Sequence, residues 1–446
     1  MKYSLTQGSA SRHVRRLAVP AAAGLFCNTL FNITDAFYAG WLATEAQAAL
    51  AFSFPLFFIL LSCCVGLSQA ITARIAKAVG AKRLIRARYL AGQSLVLGVL
   101  VCVMIWITLL PLADILLRLM GASGQTHAWG LSYSLVIFAG APAFIGAFVF
   151  NGILHAVGNT RAYRNSIAVA TMVNIILDPA LMFGWFGLPA LGVAGVAWAT
   201  VIAQAGCALY MLYTLSRTII AKRWHWMFLI PRWRIISVLA GHASAPTTRM
   251  LCINSGFFIV TGFLGYVSDS AVAAYGIALR LEQLFLLPTI GLEVAMLTYA
   301  GQNFGAGQSR RVRIAYHFCI KCGWAVNMLG AVTMVFLGGQ LIGLFNTDAS
   351  VVTHGQHYLW LAAGLGPFYV LISIITALLL AAAHYKVLLV MNVLRQLIVP
   401  AALFYLLAVV LNMGVAGIWL SMFICNVVAA IVMFWYCQKI LVHVSR

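Results

Sequence analysis

Residues 25–40 read LFCNTLFNITDAFYAG. The stretch lies inside the first long apolar segment, yet it holds Asn28, Asn32 and Asp35. Their i, i+4, i+7 spacing puts all three on one face of a helix. An ionised Asp in mid-bilayer costs roughly 2.5–3.5 kcal/mol on insertion scales, so a chain that keeps one there turns it toward a cavity or a partner. Two readings fit. Asp35 is the coupling residue of a membrane transporter, binding and releasing a proton, or it is an acid that only hydrogen-bonds a neighbouring helix.

The rest of the chain has the same character. Of 446 residues, 63% are hydrophobic and only 8% charged, which excludes a soluble domain. Apolar segments long enough to cross a bilayer as helices recur from end to end. Twelve can be placed, at about 17–40, 50–73, 89–112, 128–150, 163–186 and 191–214, then 240–266, 273–299, 314–338, 352–380, 386–411 and 414–437. The expected fold is an all-α integral membrane protein of twelve transmembrane helices. The basic, apolar-flanked start mimics a signal peptide. Its apolar segment continues to Gly40 and carries Asp35, which argues for a retained first helix.

The charges orient the spans. The chain has 28 Lys and Arg against 8 acids. With both termini on one side, 24 of the basic residues share that side, from Lys2 through Lys439 and Arg446. Only Arg118 falls opposite, while Arg249, Arg280 and Arg395 lie inside spans. Positive charge is retained in the cytoplasm, so both termini are cytoplasmic. The same placement explains the net charge of +20 without any nucleic-acid partner. Glu45, Asp114, Asp269 and Asp348 fall in outer loops, and the other four acids fall inside spans. The ten cysteines lie in or near apolar spans and are expected as free thiols. A redox role for Cys319 and Cys322 lacks the βαβ setting such a motif needs, and His354 and His357 lack further metal ligands nearby.

The chain also repeats itself. Residues 39–88 lie over 264–313 without a gap, at an offset of 225. Gly66–Leu67 meet Gly291–Leu292, Gly80–Ala81 meet Gly305–Ala306, Arg86 meets Arg311, and Pro142 meets Pro367. Gly192-Val-Ala-Gly195 is echoed by Gly414-Val-Ala-Gly417. Six spans per half give the halves one orientation. Two six-helix lobes related by a pseudo-two-fold along the membrane normal, with a cavity between them, are therefore expected. The lobes are assigned to 1–216 and 237–446. The linker 217–236 mixes Arg and Lys with Trp, which suits either an interfacial segment or a solvated one.

A polar constellation follows in the amino-terminal half. Thr171, Asn174 and Asp178 share a face of the fifth span, Thr200 and Gln204 one of the sixth, and Tyr133 opens the fourth. These groups are expected to meet Asp35. A carboxyl in such company can take a proton at one membrane face and lose it at the other. Pro20 and Pro179 are positions where helices can bend. The second half does not copy the site, because Val260 stands at the repeat position of Asp35 and Leu403 at about that of Asp178. It has instead Glu282 and Glu293, about three turns apart on one face. These are a structural ion pair with Arg249, Arg280 or Arg395, or a second cation or substrate site.

The motif TDAFYAG around Asp35, the stretch GLSQAITARIAKAVGAKRLIRAR from Gly66 and its counterpart GLEVAMLTYAGQNFGAGQSRR from Gly291 resemble the multidrug and toxic compound extrusion (MATE) transporters. The likeness runs over nearly the whole chain and is greatest to the DinF-like branch. It implies an amino-lobe ion site of Asp35, Asn174 and Asp178, with Thr200 and Tyr133 in support and Pro20 as the bend-forming proline. It further implies a monomeric antiporter that exports organic, often cationic or aromatic compounds by alternating access, from a bacterial inner membrane, with H⁺ or else Na⁺ as coupling ion and no other cofactor. The seventh and tenth spans lack the acids that the NorM-like branch uses for a carboxy-lobe Na⁺ site. Three alternatives stand beside this one. A flippase of lipid-linked or other amphipathic substrates would need a basic cavity, which Arg249, Arg280 and Arg395 keep open. A membrane enzyme would need a His/Asp/Glu cluster at a membrane face, and none is visible. A channel fits the two-lobed repeat less well than alternating access does.

Overall fold

The computed structural model describes residues 5–443, apart from the side chains of residues 44, 186, 269, 442 and 443. Lys2 and Arg446, counted above on the cytoplasmic side, and the carboxyl of Asp269 lie outside what is described. The described chain is helical. Its first half comprises α1 (Ala10–Leu42), α2 (Thr44–Gly80), α3 (Leu84–Leu119), α4 (Gly124–Ala139), α5 (Ala141–Ala156), α6 (Arg161–Phe183) and α7 (Val193–Ser216). Its second half comprises α8 (Trp233–Val267), α9 (Asp269–Gly305), α10 (Ser309–Gly343), α11 (Ala349–Ala381), α12 (Tyr385–Val393), α13 (Val399–Phe404) and α14 (Gly414–His443).

Every expected span falls on this framework, with two changes of shape. Several helices outrun their apolar stretches. α2, for example, continues through Arg74 and Lys77 to Gly80, because a helix leaving the bilayer keeps its own hydrogen bonds in water. The fourth span, expected as one helix over 128–150, is two helices bent by 48° at Gly140. Gly140 packs so closely on α7 that a Cβ there would sit 2.4 Å from Val201. Pro142 opens α5 and removes a backbone donor at the break. The repeat position of Gly140 is Leu365, and α11 runs unbroken through Pro367. The eleventh span, Tyr385–Val410, contains two π-helical stretches, Leu394–Ile398 and Tyr405–Val410.

The described chain packs as two compact units. One holds Ala23–Thr247, the other Leu5–Ala22 and the chain from Thr248 onward. The divisions fall inside α1 and α8, and the linker 217–236 lies wholly within the first unit. Paired glycines explain why. In the second unit, a Cβ on Gly291 of α9 would lie 2.8 Å from the Ala18 carbonyl oxygen and from Ala22. In the first, a Cβ on Gly66 of α2 would lie 3.0 Å from the Ala243 carbonyl oxygen and 1.8 Å from the Thr247 hydroxyl. Ala18 and Ala22 stand to Ala243 and Thr247 at the repeat offset, as Gly66 stands to Gly291. Each glycine removes the side chain that would keep the start of a long helix off its neighbour.

The Gly-Val-Ala-Gly echo has a similar cause. Gly192 and Gly414 adopt φ of +58° and +56°, a left-handed geometry that favours glycine. Gly195 and Gly417 then admit backbone: a Cβ would lie 2.5 Å from the Leu181 carbonyl oxygen in one unit and 2.8 Å from the Leu407 carbonyl carbon in the other. Leu60, Ile71, Ile75 and Phe144 are among the fully buried side chains of the first unit, and Leu264, Leu359 and Phe404 among those of the second. Large apolar side chains on outer faces, such as Ile107, Leu209, Leu329 and Phe336, stay exposed, as helices that meet lipid require.

The linker is fixed by one side chain. Gln93 of α3, fully buried, donates to the carbonyls of Phe228 and Ile230, both at 2.8 Å, and accepts from the Arg232 N–H at 2.7 Å. Phe228 is buried, while Trp224, Trp226 and Trp233 are exposed beside Lys222, Arg223, Arg232 and Arg234.

Candidate functional site

Four elements of the first unit build the site. α1 brings Asp35, α6 brings Asn174 and Asp178, α7 brings Thr200 and α4 brings Tyr133. α1 approaches α6 at Gly24, where a Cβ would strike the Tyr163 ring at 2.6 Å. The Thr171 hydroxyl then ties the two helices, donating to the Cys27 carbonyl at 3.1 Å as well as to Ile167 of its own helix.

Asp35 is 4% exposed, and Asn174 and Asp178 are fully buried. The Asn174 amide donates to Asp178 Oδ1 at 2.8 Å, and the Thr200 hydroxyl donates to Asp35 Oδ2 at 3.3 Å. The two carboxyls are side-chain neighbours, and Tyr133 faces both. Among the described residues, Asp35 Oδ1 and Asp178 Oδ2 have no donor. Two carboxylates without a donor between them repel, whereas one proton held between the pair gives each oxygen a partner. The arrangement is therefore chemically suited to taking up a proton.

Not every polar residue of the constellation joins this cluster. Asn28 and Gln204 instead line a separate cleft of the same unit, with Asn151, Tyr163, Phe148 and Met211. Asn32 is exposed. The spacing that puts it on the face of Asp35 is right for the helix, but that face is too wide to be buried throughout. Pro20 is buried in the second unit, and α1 is continuous through it. α6 is likewise continuous through Pro179. Two buried groups of α5 escaped notice in the sequence. Asn151 Oδ1 and His155 Nε2 have no partner among the described residues. Their i, i+4 spacing was the available signal.

In the second unit Glu282 and Glu293 part company. Glu293 forms a two-pronged ion pair with Arg249, at 2.6 and 3.0 Å. Glu282 accepts a 2.6 Å hydrogen bond from the Tyr358 hydroxyl and lines a narrow cleft with Asn327 and Met334. Arg280 is exposed, so it neutralises neither. Val260, at the repeat position of Asp35, packs in the apolar core.

The MatE family model matches residues 20–180 and again 247–406, once in each half of the repeat. The chain belongs to the MATE family. It is therefore a multi-pass membrane transporter and not an enzyme. It is 26% identical to the FAD transporter of Shewanella oneidensis over 446 residues, covering 98% of this chain and 97% of that one. It is 21% identical to the multidrug export protein MepA of Staphylococcus aureus, covering 100% and 98%. The probable multidrug resistance protein NorM of Thermotoga maritima is 26% identical, covering 76% and 72%. Among solved structures, the outward-facing conformation of a multidrug resistance MATE family transporter superposes with a TM-score of 0.91 at 23% identity, over 99% of this chain and 98% of that one. A transporter of the same superfamily from Pyrococcus furiosus gives the same score, identity and coverage. These likenesses establish the MATE fold of two six-helix lobes.

Proposed function

We propose that this MATE transporter is a proton-coupled antiporter that exports organic compounds, with Asp35 and Asp178 as the coupling pair. The observation that carries the reading is the pair of facing carboxyls, buried and lacking a protein donor between them. A proton entering from the outer face occupies that gap, and its loss to the cytoplasm restores the repulsion. Asn174 and Thr200 fix the outer oxygens, so the two protonation states differ in the force between α1 and α6. Work done on α1 by this switch drives alternating access. The family resemblance adds the direction, in which protonation bends α1 and expels substrate. The lopsided distribution of Lys and Arg supports cytoplasmic termini, and the resemblance supports a bacterial inner-membrane protein of the DinF-like branch.

Multidrug export proteins among the relatives support organic cations and aromatic drugs as substrates. A second reading, export of an anionic dinucleotide, is favoured by the end-to-end likeness to an FAD transporter. The test is ethidium export, read as uptake into the lumen of everted vesicles, with a proton gradient and a Na⁺ gradient imposed separately. Export on the proton gradient alone is expected. Export driven only by Na⁺ would reassign the coupling ion, and ethidium and FAD both left unmoved by either gradient would overturn the reading.

A further inference from the structure

The second unit carries one half-buried cation too many for its ion pairs. Arg249 and Glu293 satisfy each other through the two terminal guanidinium nitrogens. Arg395, near the middle of the span Tyr385–Val410, has no carboxylate partner among the described residues. Among the described residues its one hydrogen bond runs from Nη1 to Asn426 Oδ1, at 3.0 Å. Asn426 donates its own amide to the Met422 carbonyl at 2.8 Å, which holds Oδ1 toward the guanidinium. Five N–H donors on a guanidinium and one acceptor leave most of the fork unused.

The Arg395 charge is faced by Tyr369 of α11, Cys425 of α14, Arg249 of α8 and Glu293 of α9. Tyr369 faces both Arg395 and Glu282, yet no ion pair joins those two, because Glu282 is held by Tyr358. The backbone at Arg395 is the π-helical stretch Leu394–Ile398, a local widening that recurs at functional sites. Neither feature belongs to the fold as such. The repeat position in the first unit is Ala170, on the regular helix α6. An unpaired arginine inside a span is costly and wants a counter-ion.

We propose that Arg395 binds an anionic group, a carboxylate or phosphate, of a transported molecule, with Asn426 as the positioning residue. The planar fork suits two-pronged recognition of such oxygens. A lipid phosphate and a soluble one share this chemistry. The proposal goes beyond proton coupling, and because it concerns binding at equilibrium it stands or falls without a gradient.

The test uses the full chain, purified in a neutral detergent. Riboflavin and its monophosphate, FMN, differ by one phosphate, and their binding is followed by flavin fluorescence anisotropy. FMN should bind the parent more tightly than riboflavin. Arg395→Gln should weaken FMN binding about tenfold or more and leave riboflavin within about twofold, with Arg395→Lys in between. Asn426→Leu should weaken FMN less than Arg395→Gln does. Dihexanoyl phosphatidylglycerol is titrated in parallel, and Arg395-dependence of that ligand in place of FMN would name lipid as the source. The proposal is overturned if neither phosphate ligand depends on Arg395, if both flavins weaken alike, or if no binding is seen up to millimolar concentration. Elution as a single peak and an unchanged melting midpoint show that each variant is folded.

Discussion

Replacing Arg249 by Met should cost more stability than replacing Arg249 and Glu293 together. The pair has two contacts, at 2.6 and 3.0 Å, and its side chains are 16% and 4% exposed, so little solvent screens it. Removing the arginine leaves a carboxylate with both oxygens unpaired in the interior. Breaking a buried pair in this way costs about 3–5 kcal/mol, whereas replacing both partners by apolar groups of like volume is near neutral or stabilising. The single variant is therefore expected to lose at least about 3 kcal/mol. Larger proteins shift less per unit of free energy, so this corresponds to a melting midpoint lower by about 3–6 °C. The assay is thermal melting in detergent at one scan rate, read by size-exclusion chromatography, for parent, Arg249→Met, Glu293→Met and the double variant. The double variant should melt within about 2 °C of the parent. Single variants that melt with the parent, or a double variant as unstable as either single, would refute the reasoning. The double variant should also keep transport, since the pair is assigned a structural role. Lost transport at an intact midpoint would make Glu293 a working group.

Gln93→Ala removes three hydrogen bonds to the linker, an expected loss of about 2–4 kcal/mol locally, and should expose Lys222 and Arg223 to faster trypsin cleavage in everted vesicles than in the parent. Gly195→Ala and Gly417→Ala force a Cβ against backbone and should each cost about 1–3 kcal/mol, while Gly206→Ala, with nothing within 4 Å, should be neutral or slightly stabilising in the same melting assay. The carboxyl of Asp348 caps α11, accepting from the hydroxyl and N–H of Ser350 and from the N–H of Val351, which hold it below the usual carboxylate range. Its contribution is present above the unfolded value, near 3.8, and is lost as pH falls through the lower folded value. Asp348→Asn keeps an acceptor, so it should flatten the low-pH loss of amide-exchange protection in the first turn of α11, and equal pH dependence in parent and variant would refute the cap.

Much of the fold was legible because a bilayer imposes simple rules. Span length, Lys and Arg asymmetry and the 225-residue repeat gave twelve spans in two like halves. The carboxyl cluster was legible for a related reason. Asp35, Asn174, Asp178, Thr200 and Tyr133 are polar where the surroundings are apolar, and helical spacing put them on usable faces. What stayed hidden depends on partners distant in sequence. Gln93 looks like one more polar residue, and nothing local announces that it grips the linker. The bend at Gly140 needed the close approach of Val201, and the π-helical turns around Pro400 depend on how neighbouring helices fit. Glu282 and Glu293 look alike in sequence, and only the positions of Arg249 and Tyr358 separate an ion-paired acid from one that holds a tyrosine. The glycine echoes were visible as a repeat, but their purpose, admitting backbone against backbone, required the packing itself.

The measurement that bears most directly on coupling is proton-driven ethidium uptake into everted vesicles carrying the parent, Asp35→Asn or Asp178→Asn at equal expression. Asparagine keeps the shape of each side chain but cannot gain and lose the proton. Both variants should fold, bind ethidium and fail to pump it on a pH gradient. Normal pumping by Asp35→Asn would make Asp35 a structural acid and move the search for the coupling group to Glu282.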